Sequence, residues 1–187
     1  MSGRENTRIL LVSGSVRRGS TNTAALRSAL TVLPEGVEAK LFEGIEQLPH
    51  FNPDADAEGV EVPPAVAEMR REVAAADALL ICTPEYAGAL PAVLKNLLEW
   101  TIGDAGTYGK PVAWINVSGR AAPTGGADAH DSLRKVLRYA GANIVEAACA
   151  RVPITRGQIG ADGLIADDAI LAGVRGALAT LAGHARA

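Results

Sequence analysis

A chain of 187 residues with a formal net charge of −3 and no basic run is long enough for one domain with a full core, expected over residues 1–187, and its charge does not suit nucleic acid as a partner. No stretch approaches 18 consecutive apolar residues, so no membrane span is expected, and residues 1–6 carry no apolar signal core, so the protein is expected in the cytoplasm. Cys82 and Cys149 make no disulfide framework and have no base beside them, while His50, His130 and His184 stand at no metal-ligand spacing, so neither a catalytic thiol nor a metal site is expected.

The first element is a strand over residues 8–13, a continuous apolar run short enough to be buried on both faces. It stops in the polar stretch Ser13-Gly14-Ser15-Val16-Arg17-Arg18-Gly19-Ser20-Thr21-Asn22. A helix is expected over 23–33, with Leu26, Ala29, Leu30 and Leu33 on one stripe. Strand, polar loop and helix start make an anion pocket in that order, because the first N–H groups of a helix are unpaired and carry partial positive charge. Ser13, Ser15, Ser20, Thr21 and Asn22 add hydroxyl and amide donors, and Arg17 and Arg18 charge-assisted ones. The plainer reading is a β-α turn capped by Ser20 or Asn22, and the loop alone leaves both open. It has neither the Gly-Lys-Ser/Thr of a Walker loop nor the G-x-G-x-x-G of a dinucleotide loop. A hydroxyl-lined cup suits a terminal phosphate better than a pyrophosphate.

A weaker strand follows at Val37–Phe42, then a polar, proline-containing stretch over 43–63 of a length that is often functional. A helix opened by Pro64 runs over 64–76 with Val66, Met69 and Val73 inward. Residues 78–83 form the most apolar strand and lead into Pro84-Glu85-Tyr86-Ala87-Gly88-Ala89-Leu90-Pro91. In the helix expected over 91–100, Leu97, Leu98 and Trp100 exceed what one core-facing stripe needs. A strand at 111–117, a glycine-containing loop at 118–127, a helix at 128–140, a strand at 143–152 and a helix at 167–183 complete the chain. Strands alternating with helices imply parallel βαβ units, here a doubly wound five-stranded α/β sheet of order 2-1-3-4-5 with helices on both faces. Ligands of such sheets sit beyond the carboxyl ends of the strands, where the loops 13–22, 83–91 and 117–126 meet. Pro84 and Pro91 stiffen the second loop, Gly88 admits close approach of backbone, Tyr86 can stack, and Ser118-Gly119 can offer N–H donors. Together they make a wall for a flat heterocycle.

The stretch from Gly14 to Asn22 resembles the G-S-x-R-x-x-S-x-N signature of the NADPH-dependent FMN reductases. Pro84-Glu85-Tyr86-Ala87-Gly88-Ala89-Leu90-Pro91-Ala92-Val93-Leu94-Lys95-Asn96 resembles their P-E-Y-x-x-x-x-P-x-x-L-K-N segment. The resemblance implies a flavodoxin-like fold and an oxidoreductase that binds FMN and NADPH. Ser15, Arg17, Ser20 and Asn22 would hold the phosphate, Pro84, Glu85, Tyr86 and Gly88 would line the isoalloxazine, and Ser118 and Gly119 would complete the site. The flavin carries that chemistry, so no catalytic side chain is expected. The resemblance further implies a small-molecule electron acceptor (free flavin, a quinone, an azo compound or a metal oxyanion) and a homodimer or homotetramer joined through the 90–100 helix. Ala87, Glu99 and Ala127 depart from the residues common in that family. The rival is a flavodoxin-type FMN carrier without turnover of NAD(P)H. Such carriers are strongly acidic and flank the ring with aromatics, against a net charge of −3 and 4% aromatic residues here. A receiver domain would need an aspartate where the third strand ends in Cys82-Thr83-Pro84.

Overall fold

The computed structural model describes residues 6–119 and 123–186. Residues 1–5, and residues 120–122 of the third predicted loop, lie outside it. Six strands form one parallel sheet: β1 (Thr7–Ser13), β2 (Val37–Phe42), β3 (Ala78–Cys82), β4 (Pro111–Asn116), β5 (Asn143–Ile144) and β6 (Ala150–Arg151). The order is β2-β1-β3-β4-β5, with β6 also on β4, and this is the doubly wound order expected. Ser13 pairs with Cys82 and Cys82 with Ile115, so the strands end level and the loops after them share one edge of the sheet.

Alternation along the strands divides the core. Ile9, Leu11, Leu80 and Cys82 point to the face covered by α1 (Thr21–Ala29) and α5 (Asp168–Ala185). Leu10, Val12, Leu79 and Ile81 point to the face covered by α2 (Pro64–Ala75), α3 (Ala92–Trp100) and α4 (Ala127–Tyr139). Each fully buried leucine of these clusters contributes about 2 kcal/mol by leaving water.

Two expectations change. The first helix begins at Thr21 rather than Thr23 and ends at Ala29, with Ser20 at its N-cap. The last strand is broken: residues 146–148 buckle into a 3-10 turn between β5 and β6. Val145 and Ala148 bury their side chains there, while the Glu146 carboxylate receives the Arg134 guanidinium at 3.0 and 3.1 Å. An apolar run cannot reveal such a break, because both halves stay beside β4.

On α3, Leu97, Leu98 and Trp100 are buried within the chain itself, and the 43–63 segment packs against Trp100. That segment holds two 3-10 turns, Ile45–Gln47 and Pro53–Asp56. The Asn96 side chain accepts from Phe51 N at 2.8 Å and donates to the Pro49 carbonyl at 2.9 Å. Trp100 Nε1 donates to the same carbonyl at 2.9 Å, and Phe51 meets the indole edge-on at 5.0 Å. Arg70, on α2, closes the arrangement: its guanidinium binds both oxygens of Asp56 at 2.7 and 2.8 Å and the Trp100 carbonyl at 2.7 Å. With Arg70 and Asp56 largely shielded from water, loss of either partner leaves an uncompensated charge at a cost of about 3–5 kcal/mol.

Candidate functional site

Where β1 ends, the backbone passes too close to β3 for any side chain. A Cβ on Gly14 would lie 2.3 Å from Thr83 Oγ1, and Gly14 N donates to the Cys82 carbonyl at 2.9 Å. Beyond it the loop is held by its own hydroxyls. Ser13 Oγ lies 2.8 Å from Thr23 Oγ1, Ser15 N donates to Ser13 Oγ at 3.3 Å, and Arg17 N to Ser15 Oγ at 3.4 Å. Ser20 takes the N-cap with extended backbone, and its carbonyl accepts from Ala24 N. Its hydroxyl makes no capping bond: Ser20 Oγ is shut from solvent and has no partner among the described residues. A buried polar group left unpaired costs about 1–3 kcal/mol, which a ligand atom accepting there recovers.

Four of the predicted residues, Ser13, Ser15, Arg17 and Ser20, line one cavity of about 460 Å³ together with Arg18, Thr23 and Arg27. Its opposite wall is Leu41, Phe42, Ile45 and the carboxylates Glu43 and Glu46, on the β2 side of the loop. Arg27 and Glu43 approach to 3.5 Å. Thr21 and Asn22 are not in its lining. Thr21 opens α1, and the buried Asn22 turns to the core, where its Oδ1 accepts from the Cys82 thiol at 3.3 Å. Burial pushes the Cys82 thiol well above its ordinary value, and burial also pushes Cys149 up to about 11.

The second loop is a tight turn. Tyr86 N donates to the Ala89 carbonyl at 3.0 Å and Ala89 N to the Tyr86 carbonyl at 3.1 Å, with both central residues left-handed, Ala87 at φ 51° and Gly88 at φ 71°. Such a turn favours glycine or asparagine at both places, so the alanine is strained. Tyr86 is half exposed and Pro84 partly so. Glu85 does not stand free in solvent. Its Oε2 accepts from Thr124 Oγ1 at 2.5 Å and from Ala129 N at 3.2 Å, tying the turn to the start of α4. The Thr124 hydroxyl first, then the N–H groups of Ala129 and Asp128, hold its carboxyl below the usual range against a smaller cost of desolvation.

The third loop is built around Asn116. Its Oδ1 accepts from Ser118 N at 2.9 Å, and its Nδ2 donates to the Gly125 carbonyl at 2.8 Å. The chain folds back so closely that a Cβ on Gly126, at φ 82°, would lie 2.7 Å from Ser118 Oγ. Asn116 Nδ2 also lies 3.2 Å from His130 Nδ1. The His130 ring stacks on Trp114 at 5.7 Å, and the Arg134 guanidinium sits 5.0 Å from the Trp114 ring. Sequence reasoning missed Asn116, Thr124 and His130. The signal for His130 was present, since it shares the inward stripe of α4 with Leu133 and Leu137.

The structure thus brings Ser13, Ser15, Arg17 and Ser20 to one cavity. It places Pro84, Glu85, Tyr86 and Gly88 after β3 and Ser118 and Gly119 after β4, on the same edge of the sheet but outside that cavity's lining.

A family model described as NADPH-dependent FMN reductase matches residues 7–154. An NAD(P)H-dependent FMN reductase of Pseudomonas aeruginosa is 34% identical over 166 residues, covering 88% of this chain and 87% of its own. A 2-hydroxy-1,4-benzoquinone reductase of a Burkholderia species is 37% identical over 135 residues, covering 71% of this chain and 70% of its own. Among solved structures, FerB of Paracoccus denitrificans, a flavoenzyme NAD(P)H:(acceptor) oxidoreductase, superposes with a TM-score of 0.81 at 25% identity over 96% of this chain and 97% of its own.

Proposed function

The chain belongs to the NADPH-dependent FMN reductase family, an oxidoreductase with FMN and NAD(P)H as its cofactors, and from that premise we propose that the loops after β1, β3 and β4 hold the flavin between them. The cavity after β1 takes the phosphate and the 84–88 turn takes the ring. Ser118, its own N–H held by Asn116, and Gly119, with a backbone N–H to offer, stand at the ring's polar edge. The observation that carries this reading is the Ser20 hydroxyl, buried without a partner in a cavity that also collects Ser15, Arg17 and the start of α1. A phosphate accepts many hydrogen bonds and favours a helix N-terminus, and no acidic residue occupies the first turn of α1 to compete with it.

Bound FMN supplies the two-electron chemistry, taking a hydride from NAD(P)H and passing the electrons to a small acceptor. The protein's own residues bind and orient. Ser15, Arg17 and Ser20 anchor the phosphate end. Gly88, without a side chain, lets the turn approach the ring, and the half-exposed Tyr86 flanks the open face. The acceptor class is a quinone or a comparable flat molecule, as for the benzoquinone reductase relative.

The test is the purified chain with FMN. Absorption bands near about 370 and 450 nm are expected to bleach on anaerobic addition of NADPH and to return with a benzoquinone. An FMN-saturated chain that oxidises neither NADPH nor NADH overturns the reading.

A further inference from the structure

Asn116 has a side chain whose orientation is fixed by backbone on both sides. Only its oxygen can accept from Ser118 N–H, and only its nitrogen can donate to the Gly125 carbonyl. The remaining amide proton faces His130 Nδ1 at 3.2 Å. The imidazole must therefore accept at Nδ1 and carry its proton on Nε2. A second proton on Nδ1 would set two donors against each other. Asn116 cannot turn over to relieve this, because its oxygen would then face the Gly125 carbonyl and its NH₂ group the Ser118 N–H. Nor has the ring room to move: His130 is 6% exposed, lies at 7° to the Trp114 plane, and has Nε2 shut from solvent with no acceptor among the described residues.

We propose that His130 is a positioning residue: as the neutral imidazole it locks Asn116, and through it the Ser118 N–H and the Gly125 carbonyl, in the arrangement that receives the flavin ring, so that protonating it loosens the loop and weakens FMN binding. This rests on the ring wall proposed above. The charges facing His130 come from three elements. Arg134 on α4 opposes a second positive charge, while Glu85 on the 84–91 turn and Asp131 on α4 favour one. Glu146, between β5 and β6, is engaged by Arg134. Burial first, then Arg134, keep the imidazole below its ordinary value of 6.5. In the folded chain the imidazole is therefore neutral at and above that ordinary value, and it takes up a proton only as the pH falls through the lower folded value.

The experiment compares wild type, H130Q and H130L. FMN dissociation constants are read from quenching of flavin fluorescence between about pH 5 and pH 8. The phosphate of FMN titrates near pH 6, about as a phosphoserine does, and moves all three proteins alike, so ratios between them isolate His130. H130L, with no acceptor for Asn116, binds more weakly throughout. H130Q, whose amide oxygen can accept without titrating, recovers affinity relative to H130L. As the pH falls from about 7.5 toward about 5 and the folded imidazole begins to protonate, wild type weakens more than H130Q does. Parallel profiles for wild type and H130Q overturn the proposal. A second readout needs no flavin: hydrogen-exchange protection of the Ser118 amide, corrected for the intrinsic rate, falls on acidification in wild type but not in H130Q. Constant protection in wild type overturns the proposal by itself. Wild type that binds no FMN near pH 7.5 overturns the ring-wall reading instead, and the exchange result then still decides the role of His130.

Discussion

The loop after β1 and the start of α4 lie on the same edge of the sheet and are built in opposite ways. In the first, side-chain donors are left over: Ser20 Oγ has no partner, and Ser15 Oγ meets only Arg17 N at 3.4 Å. In the second, the side chains bond one another and the backbone. Thr124 donates to Glu85, Glu85 accepts from Ala129 N, Asn116 clasps Ser118 and Gly125, and His130 meets Asn116, all within 3.2 Å. An anion with many lone pairs is recognised by donors held ready for it. A flat ring with a fixed polar edge is recognised by a rigid frame of backbone, and here the side chains serve to make the frame. The first end is proposed as a binding site because it is unsatisfied, the second because it is over-determined.

Substitutions can break that contrast. The largest effect is expected from Ser20→Asp. Aspartate is a good N-cap beside a helix dipole, so the ligand-free chain keeps or raises its melting temperature. A carboxylate in the cup repels phosphate, and FMN affinity read by fluorescence quenching falls more than about 100-fold. Unchanged affinity removes the anion role from this loop. A smaller effect is expected from Glu85→Gln, which keeps the shape of the clasp and removes its charge. FMN binding weakens severalfold at neutral pH. The Glu85 carboxyl is held below its ordinary value of 4.5, so its contribution is present above that value and fades as the pH falls through the lower folded value. Melting temperatures of wild type and variant therefore converge in acid, and a gap that persists there assigns the effect to something other than charge. Smallest is Ala87→Gly, which relieves the left-handed alanine at φ 51° and stabilises the chain by about 1 kcal/mol or less, read as a small rise in melting temperature. A fall would show that the alanine methyl group makes a contact worth more than the strain.

The sheet order and the polar cup could be read in advance because their signals are local. Apolar runs mark strands, and hydroxyls crowded between a strand and a helix mark an anion cup. Asn116 and His130 escaped because their meaning lies in a contact across 14 residues, and alone each looks like a strand end and an isolated histidine. Asn22 was legible as a polar residue at a helix start but not in its direction, which the Cys82 thiol beneath it reveals. Trp100 was legible only in part, for a related reason. The helical stripe shows that an indole must be covered, but not that a stretch 50 residues earlier returns to cover it.

The two thiols have a consequence if the acceptor is the quinone proposed above. Quinones are Michael acceptors and arylate thiolates, so sulfur near their traffic is a standing hazard. Cys149, at about 11, is ionised in about one molecule in ten thousand at neutral pH, and Cys82 is more deeply buried and donates its proton to Asn22. Both sulfurs are thus kept in the form that electrophiles attack most slowly, which would spare them alkylation by an acceptor of that kind.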